Sequence, residues 1–244
     1  MAKSTKTEKS DRQKVIDDIR RKQKSADQRQ GMVIIGVCVL VALVIIGLAA
    51  YNPIRTWIEK RQYAGQPLEE IGASADVCGE ITTKKAQGSN DHRPFEEQIT
   101  YEDAPPAFGP HWNEAGVAPA PINQRFYTTA SRPELESLIH NSEHGYNILW
   151  YDETAADSEE MIGEIKAIAA TLDENDTNGR FKFKAVPWTD EDGGEFPDGQ
   201  HIAFTHWTAD QEGVWQYCSE PSGEALQEFM EKYPFTDSPE PNAF

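Results

Sequence analysis

The most regular apolar pattern in the chain is GMVIIGVCVLVALVIIGLAAY, Gly31 to Tyr51, which is 21 residues without a charge. As a helix rising 1.5 Å per residue it spans roughly 30 Å, the thickness of a bilayer's hydrocarbon core. It is read as a transmembrane helix. A cleaved secretory signal, with Gly47 and Ala49 as the small residues of its cleavage site, is the competing reading. The 30-residue leader and the over-long apolar core favour an uncleaved anchor.

Beyond this span the patterning weakens and then returns. Residues 62–92 mix Gly, Ser and charge, and predict a linker with one ordered piece around Cys78. Prolines 94, 105, 106, 110, 119 and 121 crowd the stretch up to Gln124, which predicts a loop. Ser131-Arg132-Pro133-Glu134 then supplies a helix start, with Ser131 as N-cap ahead of Leu135, Leu138 and Ile139, and Gly145 stops that helix. YNILWY, Tyr146 to Tyr151, has the look of a buried strand. Met161, Ile162, Ile165, Ile168, Ala169 and Leu172 recur at helical spacing within 157–172. Strands are predicted at 181–188, 200–208 and 213–217, and a closing helix at 222–233.

This order gives an α+β fold, a small sheet with helices packed on one of its faces, preceded by a proline-rich loop and the N-terminal transmembrane helix. The predicted organisation is a basic tail (1–30), the transmembrane helix (31–51), a juxtamembrane linker (52–74) and an α+β domain (75–244). Lys3 to Gln30 is polar and reads as a solvated tail rather than a charged helix.

Charge fixes an orientation. Residues 11–30 carry seven Lys and Arg against three in residues 52–71, so the N-terminus is expected in the cytoplasm and the domain outside. Tyr51 and Trp57 suit the outer interface, and Pro53 is placed to kink or end the helix. The formal charge of −18 hides an asymmetry: residues 1–30 hold 10 basic and 5 acidic side chains, residues 52–244 hold 13 and 36. So acidic a domain repels phosphate backbones, which excludes nucleic-acid binding. The expected partners are the lipid bilayer and other membrane proteins of the cell envelope.

The three cysteines, at 38, 78 and 218, form no CxxC pair, which excludes zinc ribbons, thioredoxin-type motifs and Fe–S ligation. Outside the cell Cys78 and Cys218 can be preserved as a disulfide, and two free thiols are the other reading. A closed loop of about 140 residues gives a bond worth up to roughly 4–5 kcal/mol in chain entropy.

Candidate chemistry rests on histidine. His140-Asn141-Ser142-Glu143-His144 sets two imidazoles four apart on one helical face, about 6 Å from each other and in reach of one ion, with Glu143 beside them. His111 in Gly109-Pro110-His111-Trp112 and His92 in Asn90-Asp91-His92-Arg93 lie on loops that can complete a shell. Imidazole with carboxylate suits zinc or copper(II), and the two Met residues of the outer domain, Met161 and Met230, are too few for a thioether copper(I) carrier. HxxEH also spells an inverted zinc-protease motif, but that motif needs a helix that continues, and Gly145 breaks this one. The calcium-like Asp173 to Gly179 run has the wrong residues at both essential carboxylate positions. Thr189 to Gly199 is expected to be an acidic hairpin connection. No GxSxG elbow, P-loop or dinucleotide fingerprint occurs, which points away from an enzyme and leaves no catalytic residue to name.

Asp91-His92, Tyr101, Pro105-Pro106, Gly109-Pro110-His111, the run from His140 to Tyr146 leading into LWY, and Ser238-Pro239-Glu240-Pro241 together resemble an uncharacterised actinobacterial family of single-pass membrane proteins, domain of unknown function 3105. The resemblance covers roughly residues 75–244. It implies a shared site at His92, His111, His140, Glu143 and His144, and it implies no reaction. The chain departs from the family at Ala107-Phe108, where Thr-Ser is usual, and at His206, where a small residue is usual. Metal binding is therefore the first reading. The alternative is a non-enzymatic scaffold in which the same histidines pin the proline loop to the sheet.

Overall fold

In the computed structural model, residues 4–63, 66–87, 91–173 and 182–243 are described. They fall into two units, residues 1–59 and 60–244. The first is formed by helix α1, Ser4–Tyr63, as far as Glu59. Its stretch Arg20–Tyr51 is long and apolar enough to cross a membrane, and none of its most apolar 18-residue window is buried. The stretch from Ser4 to Gln30, expected to be a solvated tail, is helical: it holds no Gly or Pro, and Lys22 pairs with Asp18 one turn away at 3.0 Å. The helix also runs through Pro53.

The second unit begins with 3₁₀ turns at Leu68–Glu70 and Ala75–Val77, then β1 (Thr82–Lys85), β2 (His92–Arg93) and β3 (His111–Trp112). There follow α2 (Leu135–Glu143), β4 (Asn147–Tyr151), α3 (Glu153–Asp157), α4 (Glu159–Asp173), β5 (Phe183–Pro187), β6 (Ile202–Trp207), β7 (Glu212–Cys218) and α5 (Gly223–Lys232). The main sheet has the order β1-β7-β6-β4-β5. β4 lies parallel to β5, joined through α4, and antiparallel to β6. β2 and β3 form a separate two-residue parallel pair, His92 beside His111.

Both faces of this sheet are covered, which corrects the one-sided arrangement expected from the element order. Leu149 and Tyr151 of β4 point to one side, where Ile165, Ile168 and Leu172 of α4 and Leu226 and Phe229 of α5 bury them. Ile148 and Trp150, one residue out of phase, point to the other, against Leu135 and Leu138 of α2, Tyr127 and Trp188. Each such fully buried aliphatic side chain contributes about 1.5–3 kcal/mol. A central strand buried on both faces is why YNILWY reads as a continuous apolar run rather than an alternating one.

Three local readings also change. α2 starts at Leu135 with Glu134 as its N-cap, while Ser131 closes a turn with Thr128. Thr189 to Gly199 is no hairpin, because β4 lies between the strands it joins; its Asp192 is held by Arg132 through two oxygens at 2.5 and 2.6 Å. Thr82–Lys85, in the stretch expected to be linker, is an edge strand paired with β7. A disulfide joins Cys78 to Cys218 and closes a loop across 140 positions, settling the choice between bond and free thiols. The calcium-like run beyond Asp173 lies outside the described residues.

Candidate metal centre

α2 carries the centre of the site, and its sequence sets the direction in which each side chain leaves it. Asn141 is spent on structure: its Oδ1 accepts from Ala120 N at 3.0 Å and its Nδ2 donates to Ala120 O at 3.1 Å, fastening the preceding segment to the helix. Ser137 donates to Val117 O at 3.1 Å in the same seam. His140 and Glu143, three positions apart, share a face and point at the β2–β3 pair.

The segment carrying β3 is held by aromatic side chains. Tyr101 donates to Pro110 O at 2.7 Å, Trp215 to Pro105 O at 2.7 Å, Tyr217 to Ala104 O at 2.8 Å and Trp112 to Glu97 O at 2.9 Å. Pro105, Pro106, Gly109 and His111 are buried. Cβ-less Gly109, at φ +146°, sits against the Tyr101 ring, where an added Cβ would lie 3.0 Å away. His111 is thereby delivered into the interior opposite α2.

One ligand atom from each of His92, His111, His140 and Glu143 lies within 4.8 Å of all the others. Glu143 Oε2 stands 3.4 Å from His92 Nε2 and 2.9 Å from His111 Nε2. Donors about 2.0–2.1 Å from a tetrahedral ion lie about 3.3 Å from one another, so these spacings match a common centre. Ring centroids are 4.9 Å apart for His92–His111, 4.9 Å for His111–His140 and 5.6 Å for His92–His140.

Outer contacts set the imidazoles for ligation. His111 Nδ1 lies 2.9 Å from Gly109 O, and His140 Nδ1 lies 2.6 Å from Trp112 O. A carbonyl accepts only, so each Nδ1 carries the hydrogen and the lone pair of the neutral ring is left on Nε2. His92 Nδ1 faces the Asn113 amide at 3.3 Å. Burial, with the neighbouring His144 and His111, lowers the His140 pKa to about 4, so its ring is neutral near pH 7. His111, His140 and Glu143 are buried; His92 is the solvent-facing member.

His144 does not join these four. α2 ends at Glu143, and His144, its C-cap, turns instead toward Glu240, 3.7 Å from Nε2 to Oε2. Glu143, His144 and Glu240 form a second group with ligand atoms within 4.8 Å of one another. HxxEH thus brings its two imidazoles together, with ring centroids 4.5 Å apart, but their ligand atoms fall in different groups. His144 is also held neutral, its pKa lowered to about 4 chiefly by burial and by the Lys182 charge. Glu240 was missed in the sequence because it lies nearly a hundred residues from Glu143, in a Pro-bearing tail without periodicity. Of the other histidines, His206 is buried against Asp237 O, and His201 pairs with Asp152 at 2.8 Å. Neither belongs to a group that can hold an ion among the described residues.

A family model described as "Protein of unknown function (DUF3105)" matches residues 92–244, a span that takes in both groups and starts later than the resemblance suggested. No curated protein and no solved structure matches the chain.

Proposed function

Since this chain belongs to the DUF3105 family of proteins of unknown function, its family supplies no reaction, and we propose from the geometry that its folded unit binds one divalent transition-metal ion through His92, His111, His140 and Glu143. α1 anchors that unit in a membrane, with the basic end in the cytoplasm and the acidic domain outside. The observation that carries the metal reading is the convergence of one ring nitrogen from each of three histidines with a carboxylate, from α2, β2 and β3. Its strongest element is His111, whose buried Nε2 makes no hydrogen bond although Glu143 Oε2 is 2.9 Å away. With Nδ1–H committed to Gly109 O, Nε2 and the carboxylate bring two acceptors together. A cation between them removes that conflict. Three imidazoles and one carboxylate favour zinc or copper(II) over calcium or magnesium.

The location is supported by the Lys and Arg excess before the span and by the Cys78–Cys218 disulfide, which an oxidising compartment preserves. The metal is tested by elemental analysis of the detergent-solubilised full chain beside His111→Ala. Stoichiometric zinc or copper lost in the variant is the expected result. A metal-free chain whose variant is equally stable overturns it. The bonds from His111 and His140 to the backbone of the β3 segment favour the second reading in that event: a scaffold subunit of a cell-envelope complex, with imidazoles as pins.

A further inference from the structure

Glu143 is common to both ligand groups. A carboxylate has two oxygens, and one of them, Oε2, already faces His92 and His111. His144 and Glu240 complete the other group, each offering an atom within 4.8 Å of a Glu143 carboxylate oxygen and of each other.

This second group is built rather than incidental. Glu240 lies on the C-terminal tail, and its N–H donates to Glu143 O at 2.9 Å, which fixes its position along α2. Lys182 Nζ donates to His144 O at 2.7 Å, to Pro241 O at 3.1 Å and to Ala243 O at 2.8 Å, binding the tail to the end of the helix. His206 holds Asp237 O from the sheet side. The His144 ring is buried, and its Nδ1 makes no hydrogen bond. Its other nitrogen, Nε2, stands 3.7 Å from Glu240 Oε2, beyond hydrogen-bond length and close to the spacing of two donors on one ion. The Lys182 charge works against a cation here, and the two carboxylates work for it.

We propose that Glu143 bridges two cations, the second held by His144 and Glu240. This rests on the first site being a metal site. One imidazole and two carboxylates make a harder donor set than three imidazoles and one carboxylate, so the second site suits zinc, manganese or iron(II). It fills after the first, because it offers three donors, one of them shared, against four. Two ions sharing a carboxylate stand about 3.5–4 Å apart, the spacing of two-metal centres that activate water or clamp a phosphoryl oxygen.

The test uses the full chain in detergent, stripped with a chelator and reloaded with Zn(II) alone, then with Cu(II) alone. Wild type is expected to hold about two zinc ions per chain, and Glu240→Gln one. With Cu(II), neighbouring ions couple and suppress each other's EPR signal, while Glu240→Gln gives the full signal of one isolated ion. Glu240→Ala guards against residual binding through the amide oxygen. One ion in wild type and one in both variants overturns the bridge and leaves the first site standing. Two ions in both variants also overturns it, since Glu240 is then no ligand. No ion in wild type overturns both readings.

Discussion

Nε2 of His111 and Oε2 of Glu143 lie 2.9 Å apart, both side chains fully sealed from solvent. They come from β3 and α2, elements joined by a long segment that Asn141 and Ser137 stitch back to the helix. An ion bound there ties the β3 segment to the helix and stabilises the fold by mass action, about 2.7 kcal/mol at a hundredfold excess over Kd. For a unit of this size that corresponds to a rise in Tm of about 5–10 °C. Zinc is therefore expected to shift the melting of the wild-type chain by this amount, and the shift should vanish in His111→Ala and in His140→Ala. Differential scanning calorimetry with and without chelator measures it; an equal zinc shift in the variants would contradict the assigned ligands.

The histidines were legible in the sequence because their local strings are distinctive: GPH in a proline-stiffened stretch, and HNSEH ahead of a helix-stopping glycine. Of the five residues that the family resemblance grouped, four converge on one centre, and His144 belongs to the second group only. Spacing of four does bring the His140 and His144 rings together, centroids 4.5 Å apart, but α2 ends between them and His144 groups with Glu143 and Glu240 instead. α4 declared itself through its helical periodicity, and β4 through its continuous apolar run. β1 did not: TTKK is wholly exposed and takes its strand form from pairing with β7 alone. The covering of both sheet faces was also hidden, since nothing in the α2 sequence says on which side of the sheet it packs.

Gly145 ends α2 at φ +90°, and a Cβ there would stand 2.3 Å from Phe235 O and 2.8 Å from Ser238 Oγ. Neither the strained backbone nor the main-chain clash can relax cheaply, because Ser238 and Glu240 belong to the tail fastened by Lys182. Gly145→Ala should cost about 2–4 kcal/mol in urea unfolding. It should also displace Glu240 and lower metal content, whereas Gly116→Ala, at φ +83° with open space around it, should cost less and leave metal content alone.

The Cys78–Cys218 bond ties the stretch that holds β1 to β7, the strand that β1 pairs with. Closing so long a loop restricts the unfolded chain, and its removal costs about 2–5 kcal/mol. The Cys78→Ser, Cys218→Ser double variant should therefore unfold at lower urea, with a steeper denaturant slope because its unfolded state is more open. An unchanged midpoint would show that β1 pairing alone holds this edge.

Acid should destabilise the metal-free chain before carboxylates titrate. His140 and His144 have folded pKa values near 4, against about 6.5 in an unfolded chain. Between those values the unfolded state binds more protons, so stability is fully present above pH 6.5 and is lost as pH falls toward 4. Each ring contributes at most about 3 kcal/mol. Glu136 and Glu164, whose burial raises their pKa, act in the opposite sense, since protonation favours their folded form. The histidine displacements are the larger, so the net slope over this range is positive. Urea midpoints of the chelator-treated chain should fall from pH 7 to pH 4.5, and His144→Gln, which does not titrate, should fall less steeply. Zinc should steepen the decline in wild type, because protons then compete with the ion for His140 Nε2.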